Sequence, residues 1–167
     1  MDVRDEKMAI YLDFEGIKGN VTAAGYEGHV LVDSASFAVG RKVSMDTGKV
    51  SNREISTPSV SEVTLSKKAD VSVVEFFKKS VSGAAGKAVD LKCVRTSSEK
   101  LQEFLKYTLH DCIVSGYAIT IHGDEQPREN ITLSFSKCEI SYTDHNSSNK
   151  SGNTQRAGYD LEKAKLL

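Results

Sequence analysis

The stretch ENITLSFSKCEISYT, residues 129–143, constrains the fold more than any other part of the chain. It alternates apolar and polar residues with the period of a β-strand. Midway its apolar side changes: Ile131, Leu133 and Phe135 take odd positions, Cys138, Ile140 and Tyr142 even ones. Successive side chains on a strand point to opposite faces, so a one-residue slip of phase exchanges the buried face. Extended throughout, such a stretch spans about 46 Å at ~3.3 Å per residue, longer than an ordinary strand. A bulge, or a strand that leaves one sheet for another, resolves the conflict. The pattern predicts a bend near Ser136 and Lys137, at a barrel corner, with Ile131, Leu133 and Phe135 in the core.

The remaining periodicity is also largely that of strands. Ile10, Leu12 and Phe14 alternate with polar or aromatic partners and supply a second set of core positions. Apolar runs follow at His29–Val39, around Ser59–Leu65 behind Pro58, and at Ala88–Thr96. Residues 101–121 fit a helix or a strand; β-branched and aromatic residues favour a strand bent near Ser115 and Gly116. One helix is predicted over 70–81, with Asp70 as N-cap, Val73, Val74, Phe77 and Val81 at helical spacing, and Gly83 just past its end. Phe77 is its expected core residue. Seven or eight strands and one helix read as a sandwich or barrel.

Two segments stand apart. Residues 40–56, GRKVSMDTGKVSNREIS, are polar and longer than the usual connection, and such loops are typically functional. Residues 146–157 are polar and read as flexible, as do the charged residues 1–7, which leaves residues 8–167 as a single domain with a tail at 158–167.

Chemistry is scarce. The chain has three Cys with no CxxC spacing and four His with no metal-binding spacing, so no metal or cofactor is expected. His110, Asp111 and Cys112 are adjacent, and adjacent residues diverge on strand or helix, which argues against a local catalytic group. SGAAGKA, residues 82–88, has two residues between its glycines where a phosphate loop has four, and lacks the Ser or Thr after Lys87. A formal net charge of −1 gives no global attraction to nucleic acid or to an anionic membrane. No apolar run approaches the ~18 residues of a membrane-spanning helix, and the N-terminus has no signal-peptide pattern.

Several stretches together resemble the haemolysin-coregulated protein (Hcp) family of bacterial type VI secretion. They are MAIYLDFEGIKGNVT (8–22), GHVLVDSASFAVGR (28–41), KKAD (67–70), ENITLSFSKCEISYT (129–143) and AGYDLEKAKLL (157–167). The extension 1–7 and the region 93–104 depart from the pattern. The resemblance implies a mainly β protein: a compact β-barrel of two sheets with one short helix on its side. It implies a non-enzymatic tail-tube subunit that forms hexameric rings, and rings that stack into a tube ejected by a contractile sheath. Sheath, spike-tip and baseplate proteins and secreted effectors are the implied partners. The protein is then made in the cytoplasm and leaves by this route without a cleaved signal. By the same resemblance, the loop at 40–56 packs on a neighbouring subunit or on the next ring, through Arg41, Lys42, Val43, Met45, Asp46, Lys49, Val50, Arg53 and Glu54. Two other readings stay open at this point: a monomeric β-barrel that binds a small ligand or peptide, and a small hydrolase built on His110 or His122.

Overall fold

The computed structural model describes residues 7–42, 47, 57–83, 85–97, 100–145 and 151–167. Among the described residues, twelve strands and one helix run in the order β1 (Lys7–Phe14), β2 (Val30–Val32), β3 (Ser34–Ser36), β4 (Val39–Gly40), β5 (Ser59–Val60), β6 (Val63–Lys68), α1 (Val73–Val81), β7 (Lys87–Ser97), β8 (Lys100–Thr120), β9 (Arg128–Ser134), β10 (Lys137–His145), β11 (Ser151–Asp160) and β12 (Lys165–Leu166).

Two sheets wrap one core. The first has the order β12-β11-β10-β8-β7-β1-β2; the second pairs β3 with β6, β6 with β9, and β9 with β8. All named pairings are antiparallel. The sheets meet at two corners. At one, β2 runs into β3, and Asp33 N–H bonds Ser66 O at 2.8 Å. At the other stands β8, which belongs to both sheets: up to Cys112 it pairs with β7 and β10, and from Ile113 with β9. Asp111 marks the change, with φ of 52°. Gly86 lies against it so closely that an added Cβ would sit 2.7 Å from Asp111 Cα. A second irregularity in β8 falls between Val114 and Gly116, where the sequence predicts a bend.

The phase change at 129–143 is the same corner seen from the neighbouring strand. β9 lies in the second sheet and β10 in the first, and the break falls at Phe135–Ser136. Ser136 N–H bonds His110 O at 3.1 Å, which ties this break to the turn in β8. Leu12, Phe14, Ile131 and Leu133 are fully buried, Phe135 is buried, and Ile10 is half-buried against them.

Five expectations need correction. Phe77 is 53 % exposed and its neighbour Phe76 is fully buried, ring edge against Phe14 with centroids 6.0 Å apart. The apolar spacing picked the wrong stripe because α1 carries apolar residues on both. Asp70 is not the cap residue: Ser72 holds that place, and Asp70 Oδ1 accepts from Ser72 N–H at 2.8 Å. Its carboxylate serves a backbone donor just ahead of the helix, as Asp side chains in turns do. The helix ends at Ser82 in extended conformation, with Ser82 N–H bonding Lys78 O, so Gly83 supplies no left-handed cap. Residues 151–157, read as flexible, belong to β11, and Lys7 opens β1. β11 is polar because most of its length lies outside the barrel, where no apolar face is required.

Candidate functional site: an assembly surface

The strands β10, β11 and β12 extend beyond the barrel as a wing of the first sheet. One face of the wing continues the apolar face of the core: in the register, Leu109, Cys138 and Tyr159 stand side by side, as do Tyr107, Ile140 and Ala157. The β4–β5 hairpin covers part of this face, with Val39 opposite Val60 and Phe37 packed on Tyr107 and Phe135. Between hairpin and wing lies an apolar groove of about 240 Å³, floored by Ile140, Ala157 and Tyr159 and walled by Val39, Val60 and Leu166. The loop at 40–56 leaves and returns at this hairpin.

The opposite face of the wing is polar. Lys106, Thr108, Glu139, Ser141 and Arg156 line a shallow recess there. His110 Nε2 lies 3.0 Å from Glu139 Oε2, both side chains well exposed. That hydrogen bond holds the Glu139 carboxyl below the usual carboxylate range. Cys112, two residues on, is buried, and burial pushes its thiol up to about 12. His110, Asp111 and Cys112 therefore do not converge. Among the described residues no group of three or more His, Cys, Asp or Glu is placed to hold a metal ion, and no helix is long and apolar enough to cross a membrane.

The outer edge of the wing is open. β12 pairs only with Tyr159 and Asp160, and Leu167 N–H reaches Gly158 O at 2.8 Å. Main-chain groups on a strand point alternately to its two edges, so those of Arg156 and Thr154 face the same way as Gly158. No strand among the described residues pairs with them. The edge carries no Pro over residues 151–158, and its register with β10 is regular from Asp160 to Thr154 and shifts opposite Thr143–His145.

Of the residues expected in the subunit-interface loop, Arg41 and Lys42 are exposed immediately after β4. Val43, Met45, Asp46, Lys49, Val50, Arg53 and Glu54 lie outside the described residues. Sequence reasoning missed the wing edge, whose polar residues carry no apolar alternation. It also missed a buried polar cluster. Lys67 and Glu129 are both fully buried, face each other across β6 and β9, and form an ion pair. Their signal was present: Lys67 shares the inward parity of Val63 and Leu65, and Glu129 that of Ile131 and Leu133.

The fold is a two-sheet β-barrel with an open wing and one lateral helix, and the sequence match to a family model says which kind. The chain belongs to the family described as type VI secretion system effector, Hcp, whose model matches residues 11–142. Among solved structures it is similar to one described as a type six secretion system protein, at 18 % identity and TM-score 0.88, over 96 % of this chain and 100 % of the other. Hcp1 from Salmonella typhimurium is similar at 24 % identity and TM-score 0.75, over 96 % and 99 %. A type VI secretion system effector from Yersinia pestis is similar at 19 % identity and TM-score 0.71, over 90 % and 98 %. At these identities the likeness is one of fold. No curated protein matches the sequence at a significant level.

Proposed function

We propose that this protein is a non-enzymatic tail-tube subunit, six copies of which close into a ring. Rings stack into a tube inside a contractile sheath, with spike-tip and baseplate proteins at its end and effectors carried in its channel. The observation that carries this reading is the open edge of β11 at Thr154 and Arg156 beside an apolar groove. An open edge next to an apolar face suits a second copy that adds a strand and covers the groove. A ring needs a heterologous contact, one surface of each copy meeting a different surface of the next. The loop at 40–56, rooted at the groove, is the natural second contributor.

Two variants test the reading. Thr154→Pro removes an outward main-chain donor without touching the core, and deletion within residues 43–52 shortens the loop. Sedimentation and negative-stain images should show hollow discs for the native protein and smaller particles for each variant. A native protein that sediments as a monomer at every concentration refutes the ring. Variants that assemble normally refute the assigned surfaces. The apolar groove also suits a monomeric ligand- or peptide-binding module, and a sharp monomer with an occupied groove would favour that reading.

A further inference from the structure

Helix α1 has two apolar stripes, and the structure buries the smaller one. Phe76 is fully buried, whereas Val74, Phe77 and Val81, at i, i+3 and i+7, are all more than half exposed. Neighbouring residues on a helix are about 100° apart, so a rotation of that size exchanges Phe76 for the Val74–Phe77–Val81 stripe. By apolar area alone the rotated seating is the better one. Something other than apolar burial holds the helix where it is.

The polar cluster beneath α1 supplies it. The Lys67 ammonium lies 5.7 Å from the centroid of the Phe76 ring, a cation–π distance. It also bonds Glu129, and Asp70 Oδ1 at 3.1 Å. Asp70 in turn accepts from the N–H and hydroxyl of Ser72, the residue at the helix start. Tyr117 donates to Glu129 Oε1 at 2.8 Å, and its ring packs edge-on against Phe77, centroids 6.3 Å apart. Rotating α1 would swing Phe76 off the ammonium and pull Ser72 from Asp70. Both ions of the central pair are fully buried. Such a pair is poor support for stability, and an apolar pair of similar volume is often neutral or better.

We infer that the Lys67–Glu129 pair, with Asp70 and Tyr117, is a selector between two seatings of α1, and that it keeps the Val74–Phe77–Val81 ridge on the surface. Its role is positional. Removing the pair cleanly therefore frees the helix to rotate without lowering the stability of the barrel.

The test uses the full chain labelled with 4-fluorophenylalanine, with the Phe76 and Phe77 fluorine signals assigned by Phe→Leu substitution. The solvent isotope shift between H2O and D2O reports exposure of each ring. In the native chain Phe77 should show the shift and Phe76 none. In Lys67→Met/Glu129→Leu the shift should pass to Phe76, or both signals should double, while the melting temperature stays equal or rises. A native chain with Phe77 shielded overturns the inference. So does a double variant that keeps Phe76 shielded as a single sharp signal. A double variant that fails to fold overturns it too, since the pair would then be needed for stability and not for seating.

Discussion

Truncating Phe76 and Phe77 separately gives the most direct check on how α1 sits. Phe76 is fully buried, in edge contact with Phe14 and over the Lys67 ammonium. Removing a fully buried Phe ring typically costs about 3–5 kcal/mol, transfer and cavity terms together. The lost aromatic and cation–π contacts place Phe76→Ala toward the upper end. Phe77 is 53 % exposed. With half of its ring already in water, Phe77→Ala forfeits about half of the ~1.5–3 kcal/mol of full burial, or about 1 kcal/mol. Native stability is typically about 5–15 kcal/mol, so the first variant is crippled and the second hardly affected. Urea unfolding of dilute protein, followed by far-ultraviolet circular dichroism, should separate the two midpoints by roughly 1 M or more. Equal losses, or a larger loss for Phe77→Ala, would show that the helix buries the stripe its sequence spacing predicts.

Other perturbations follow from the same geometry. Leu133→Asp puts a carboxylate at a fully buried site between Val63 and Val114 and should yield insoluble or unfolded protein; a soluble, cooperatively unfolding variant would contradict the core assignment. Gly86→Ala drives a methyl into the Asp111 backbone and should cost about 1–3 kcal/mol, read as a lowered urea midpoint, with no loss expected only if the corner opens. Burial raises the Cys112 thiol to about 12, so the unfolded chain loses this proton first. Its contribution is complete below the ordinary thiol range near pH ~8.5 and is lost as pH rises toward the folded value, and Cys112→Ala should flatten the fall in stability seen between those limits. Loss of the Glu139–His110 bond in His110→Ala should return the Glu139 carboxyl upward, as followed by carboxyl chemical shifts against pH.

The strands around the core were legible because each has one dry face and one wet face. Ile10, Leu12 and Phe14 on β1, and Ile131, Leu133 and Phe135 around β9, announce their burial through period-two alternation. The change of phase after Phe135 is likewise a direct image of passage between sheets. Legibility fails where that asymmetry fails. β11 has an open edge and a mostly wet face, so its residues read as loop. α1 is apolar on both stripes, and the choice between them rests on Lys67, distant in sequence from its partner Glu129. The proposed contact edge of β11 left no mark in the sequence, because an edge that would take a partner strand resembles an ordinary exposed one.

The strand β8 also sets how the barrel would respond to tension. Lys100 to Thr120 is one length of backbone shared by both sheets. Tension on either sheet therefore passes to the other along covalent bonds, not through side chains that can slip. At this corner the two sheets cannot part without the loss of the hydrogen bonds that β8 makes to β7, β10 or β9.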